Sequence, residues 1–166
     1  MLSLRPPSNV APVLVLAIGN PSRGDDALGP RAAQAVEELA LPGVEVLTDF
    51  QLQVEHALDL LGRRMVVFVD AAAGGDAPFE LRPLAPAADA SHTSHSLSPA
   101  AVLDAYRRLT AEEPPPSRLL AIRGLDFELG APLSGAAAAN LQAALAALAS
   151  CLRDTLVPVR EQRQPA

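Results

Sequence analysis

The chain contains no lysine, because all thirteen of its basic residues are arginine. A Schiff-base lysine and the lysine of a phosphate-binding P-loop are therefore both excluded. Cysteine is nearly absent too: Cys151 stands alone, so neither an internal disulfide nor a cysteine-built zinc site can form. It falls within the apolar periodicity of the last expected helix and reads as a packing residue. There is no basic cluster, and a net charge of −6 gives no footing for a phosphate backbone, so nucleic acid is not an expected partner. Gly-x-Ser-x-Gly is missing, which removes the serine hydrolases built on a nucleophile elbow. The start has no apolar signal-type region. The most apolar stretch, Ala136 to Leu152, is alanine-rich and interrupted by Asn140, Gln142 and Ser150, unlike a membrane span. The expectation is a soluble, cytoplasmic protein without membrane association.

What is present is an alternation of apolar runs and helical periodicities. A length of 166 residues suits one domain. We expect a frayed segment at 1–11, a single α/β domain over 12–156 and a disordered tail at 157–166. Val13 to Ile18 reads as a strand buried on both faces, and Leu28, Ala32, Ala35, Val36 and Leu39 follow at helical spacing. Val44 to Leu47 is a second strand, Val54 to Leu61 a helix closed by Gly62, and Met65 to Val69 a third strand ending at Asp70. Phe79 to Leu84 carries Pro83 and belongs at a sheet edge. Pro86 to Ser96 is a loop, after which Ser98-Pro99 caps a helix with Val102, Ala105, Tyr106 and Leu109 on one face. Arg118 to Ile122 is the last strand, and Ser134 caps a closing helix whose stripe is Leu141, Leu145, Leu148 and Leu152. The rhythm predicts a three-layer α/β/α sandwich around a mostly parallel five-stranded sheet with an edge strand.

Chemistry should gather where such sheets open, at the carboxyl ends of the strands. The loop Gly19-Asn20-Pro21-Ser22-Arg23-Gly24-Asp25-Asp26 follows the first strand, and Asp70 ends the third. The loop Ser91-His92-Thr93-Ser94-His95-Ser96 adds imidazoles just before a helix amino terminus, which favours a neutral histidine able to act as ligand or base. Asp26, Asp70 and His95 form a mixed oxygen and nitrogen set suited to zinc, cobalt or nickel. Structural roles compete for several of these residues. Asp25 reads as the cap of the first helix, Asp70 equally as the cap of a turn into Ala71-Ala72-Ala73-Gly74-Gly75, His92 as solvated, and His56 as a surface or half-buried side chain.

Gly19-Asn20 with Asp25-Asp26-Ala27-Leu28-Gly29, then Phe68-Val69-Asp70-Ala71, then Ser94-His95-Ser96-Leu97 leading into Val102-Leu103, resemble the nickel-iron hydrogenase maturation endopeptidases. The resemblance runs in order over about residues 13 to 153, with a closing Gly130 to Ser134 segment before the last helix. It implies a cytoplasmic protease that removes the C-terminal peptide of a hydrogenase large-subunit precursor once nickel is in place; a monomer is the expected state. The nickel then belongs to the substrate, and no organic cofactor is implied. Asp26, Asp70 and His95 are the positions that the resemblance assigns to metal contact and catalysis. Members of the family often carry glutamate where this chain has Asp26. The segment Thr48-Asp49-Phe50-Gln51-Leu52-Gln53-Val54-Glu55 departs from the family's commoner glycine-rich form. Asp49, Gln51 and Gln53 are candidate contacts to the precursor, with helix capping an equal reading for Asp49.

Two mechanisms stay open on these residues: water activated by a carboxylate, and a scissile carbonyl polarised by the nickel. Two other functions are to be weighed. Gly19-Asn20-Pro21 after a strand also resembles the opening of peptidyl-tRNA hydrolases, but that family places a catalytic histidine where this chain has Gly24-Asp25-Asp26-Ala27, and it needs a basic groove. A non-catalytic, metal-dependent escort of the hydrogenase subunit would use the same three ligands without cutting.

Overall fold

The computed structural model describes residues 4–89 and 96–158. Strand β1 (Val13–Ile18) leads through a 3-10 turn (Gly24–Ala27) into helix α1 (Leu28–Glu38), and β2 (Val44–Asp49) follows. A short α2 (His56–Asp59) precedes β3 (Met65–Ala72) and β4 (Phe79–Leu84). Helix α3 (Pro99–Thr110), β5 (Ser117–Arg123) and α4 (Gly135–Leu156) complete the chain. The five strands form one sheet in the order β2-β1-β3-β5-β4. All pairings are parallel except β4 with β5, so the proline-bearing strand lies at the edge, where its missing N–H costs no central hydrogen bond.

Alternation along the strands sends side chains to two separate cores. Val13, Val15 and Ala17 of β1, with Val67 and Val69 of β3, pack under Ala32 and Val36 of α1 and Leu141, Ala144, Leu148 and Leu152 of α4. Leu14, Leu16 and Ile18, with Val66 and Phe68, pack against Leu52, Ala57 and Leu60 near α2 and Val102, Leu103 and Tyr106 of α3. All six β1 residues are buried, as a strand covered on both faces requires. By length and composition α4 could cross a bilayer. Its buried stripe, Ala137, Leu141, Ala144, Leu148 and Leu152, lies on the sheet.

Both expected serine caps are present: Ser98 Oγ accepts from the Ala101 N–H at 3.1 Å and Ser134 Oγ from the Ala137 N–H at 3.2 Å. Other expectations are corrected. The helix expected over Val54 to Leu61 is reduced to His56–Asp59, flanked by i to i+3 bonds such as Ala57 N–H to Val54 C=O and Leu61 N–H to Leu58 C=O. Strand β3 runs past Asp70 to Ala72 because β5 pairs with it that far, so Asp70 lies within a strand and does not cap a turn at 71–75. Leu39 and Leu109 sit at helix ends and are exposed, whereas Cys151 packs partly buried beside the α1 and α4 core.

From β1 the chain passes through α1 to β2 on one side; from β2 it returns through α2, on the opposite face, to β3 on the other side of β1. This reversal opens a crevice between the carboxyl ends of β1 and β3.

Candidate functional site

The loop leaving β1 approaches its own helix so closely that side chains are excluded. A Cβ on Gly19, whose φ is +149°, would lie 2.0 Å from the Asp26 carbonyl oxygen, and one on Gly29 would lie 2.1 Å from that of Ile18. The chain therefore turns back on the end of β1, and Asp26 arrives over the crevice. The Asn20 N–H donates to Asp26 Oδ2 at 2.8 Å, Asn20 Oδ1 accepts from the Ser22 N–H at 2.9 Å, and the Asp26 N–H donates to the Arg23 carbonyl at 3.0 Å. Asp26 is half-buried.

Asp70 continues the alternation of Val66 and Phe68, so it points to the α2 and α3 side of the sheet at the β3 end of the crevice. Burial pushes its carboxyl up to about 6, and the negative charge of Asp26 adds to the rise; the Ala71 N–H, donating to Asp70 Oδ1 at 2.8 Å, opposes it. The two predicted aspartates are thus brought close enough to feel each other's charge. A carboxyl titrating near 6 is matched to accepting and returning a proton near neutral pH. Such perturbed groups are a mark of reacting sites.

His95, like His92, lies outside the described residues. Just after it, the Leu97 N–H donates to the Leu52 carbonyl at 3.0 Å, which fixes the entry to α3 beside the segment after β2. Among the described residues no three side chains of the metal-ligating types converge.

Asp49 does not cap α2. Its Oδ1 accepts from the Phe50 N–H at 2.6 Å and its Oδ2 faces His56 Nε2 at 3.2 Å, while His56 Nδ1 accepts from the Gln53 N–H at 2.9 Å. His56 is half-buried, as expected, and closes the loop that carries Phe50, Gln51 and Gln53. These three are exposed. Gln51 and Gln53 line a cleft of ~370 Å³ with Val54, Glu55 and Leu97. Phe50 and Asp49 line a cavity of ~250 Å³ with Gly19, Pro21, Pro30 and Thr48.

Asp25 was expected to cap the first helix, and it does something else. It is fully buried, and neither the 3-10 turn nor α1 has a side-chain cap. Its Oδ2 accepts from the Leu125 N–H (2.7 Å), the Asp126 N–H (3.0 Å) and the Ser134 hydroxyl (2.8 Å), and its Oδ1 from the Ser134 N–H (2.7 Å). Burial raises its pKa, but the Asp126, Leu125 and Ser134 donors outweigh that and hold the carboxyl below the usual aspartate range. Asn20 and Ser134 are the site residues that sequence reasoning missed. Asn20 acts partly through its backbone N–H, and Ser134 reaches Asp25 across more than a hundred residues, so neither partnership leaves a local pattern.

No family model matches the chain, and no curated protein does either. Solved structures share the fold. The hydrogenase maturating endopeptidase HybD from E. coli is 25% identical with a TM-score of 0.70, over 87% of this chain and 93% of that one. An endopeptidase from Escherichia coli is 25% identical with a TM-score of 0.69, over 87% of this chain and 94% of that one. The [NiFe] hydrogenase maturation protease HycI from Thermococcus kodakarensis KOD1 is 24% identical with a TM-score of 0.63, over 88% of this chain and 95% of that one. The architecture is that of the hydrogenase maturation endopeptidases, as the sequence resemblance implies.

Proposed function

We propose that this chain is a cytoplasmic protease that removes the C-terminal peptide from a nickel-loaded [NiFe]-hydrogenase large-subunit precursor. One observation carries the reading: two carboxylates from separate elements, Asp26 and Asp70, share the switch-point crevice of a fold found in maturation endopeptidases. Nickel enters as part of the substrate. Asp26, Asp70 and the sequence-assigned His95 contact it, leaving coordination positions for the precursor's own ligands, so that unloaded precursor is a poor substrate.

Water activated by a carboxylate of the crevice is the route of hydrolysis in this reading. Ionised at neutral pH, Asp70 takes a proton from water as its oxygen attacks the scissile carbonyl, then returns that proton to the departing amine. Polarisation of the carbonyl by the substrate's nickel acts in the same direction. Gln51 and Gln53, on the loop held by Asp49, contact the precursor together with the exposed ring of Phe50.

Intact mass of a co-expressed, nickel-loaded precursor tests the reading. Wild type is expected to shorten it, while Asp26→Asn, Asp70→Asn and His95→Ala, folded by circular dichroism, do not. A stable complex with an unshortened precursor would establish the escort role instead. Release of the peptide and free tRNA from peptidyl-tRNA would establish the hydrolase alternative.

A further inference from the structure

We infer that Asp25 is a positioning residue: its buried carboxylate locks the Gly24–Ala27 turn against the segment after β5 and thereby aims Asp26 into the crevice. The inference rests on the proposed role of Asp26 only for its kinetic consequence. An isolated carboxylate with no exposure is costly to bury, yet this one is met by three backbone N–H groups and one hydroxyl. The same two loops are joined again by the backbone: the Asp25 N–H donates to the Asp126 carbonyl (2.7 Å), the Gly24 N–H to that of Ala131 (3.1 Å) and the Gly130 N–H to that of Ser22 (2.8 Å).

Space around the junction is as restricted as its hydrogen bonds. A Cβ on Gly24 would lie 2.3 Å from the Asp126 carbonyl oxygen, and one on Gly124 would lie 2.8 Å from Asp25 Cβ. Asp25 and Asp26 are consecutive in one 3-10 turn, where neighbouring side chains diverge by about 120°. Holding Asp25 inward therefore turns Asp26 outward, to where the Asn20 N–H meets it.

A carboxylate is required, because both oxygens accept and neither position tolerates a donor. In Asp25→Asn the amide NH₂ must face either the Ser134 N–H or the group of three donors on the other oxygen.

The Asn20 amide reports on Asp26 without any precursor. In Asp25→Asn its hydrogen exchange should accelerate roughly tenfold over that in Leu148→Ala, a core variant destabilised away from the junction. With nickel-loaded precursor, kcat should fall by roughly 100-fold with KM little changed. A folded Asp25→Asn protein whose Asn20 amide is as protected as in wild type overturns the inference. If Asp25→Asn fails to fold, Ser134→Ala takes its place, since it removes one of the four donors; unchanged Asn20 protection in that variant is equally fatal. Lost protection with wild-type processing would uphold the positioning and remove Asp26 from the reaction, so the two readings fail separately.

Discussion

Replacing Asp70 with asparagine should make the protein more stable at neutral pH while abolishing processing. In the folded state the carboxyl titrates at about 6, against 3.8 for an ordinary aspartate, because burial and the charge of Asp26 disfavour its ionised form. A raised carboxyl value favours the folded state below pH 4, where both states are protonated, and that advantage is lost as pH rises towards 6. Each pH unit of the gap corresponds to 1.36 kcal/mol, so wild type should lose about 3 kcal/mol relative to Asp70→Asn across this window. Asparagine keeps an oxygen for the Ala71 N–H and has no charge to place beside Asp26. Asp25 titrates in the opposite sense: its lowered value contributes stability above the ordinary aspartate range that is lost in acid. That contribution is common to both proteins and cancels in the comparison. Urea unfolding of wild type and Asp70→Asn at pH 4, 5, 6 and 7.5 measures the difference. Curves separated by the same free energy at every pH would refute the argument, because the Asp70 carboxyl would then not be buried in the crevice as the structure places it.

Further outcomes follow from the same geometry. Gly29→Ala should cost about 3 kcal/mol in urea unfolding, since its Cβ would press on the Ile18 carbonyl oxygen at 2.1 Å; an unchanged midpoint would show that α1 can move off β1 freely. Phe50→Ser should leave stability unchanged, because the ring is 68% exposed, but raise KM for precursor roughly tenfold at constant kcat. Gln53→Ala should do the same more weakly, and an unaltered KM in both variants would place the precursor elsewhere.

Much of the fold was legible locally. The unbroken apolar runs of β1 and β3 identify strands covered on both faces, Pro83 identifies an edge, and Ser98 and Ser134 mark two helix starts through a side-chain oxygen that satisfies a nearby N–H. The length of α2 was not legible, because Val54 and Leu58 keep helical spacing although both side chains are exposed. The pairing of β5 with β3 beyond Asp70, which removes the capping alternative for that residue, also depends on a distant partner.

By itself the sequence determined the order of the elements, the two helix caps and the presence of one carboxylate in the loop after the first buried strand and another beyond the apolar run of the third, since all of these follow from residue type and spacing along a few turns. Local pattern already set Asp26 apart for chemistry and Asp25 for a structural role; only the tertiary structure decided what that role is, a tie between two loops in place of a helix cap. Asp25 and Asp26 are adjacent and chemically identical. They are separated by donors from Leu125, Asp126 and Ser134, which the parallel sheet and α4 bring to one of them from a hundred residues away or more. A buried charge goes where fixed N–H groups can meet it, and that location is a property of the folded chain.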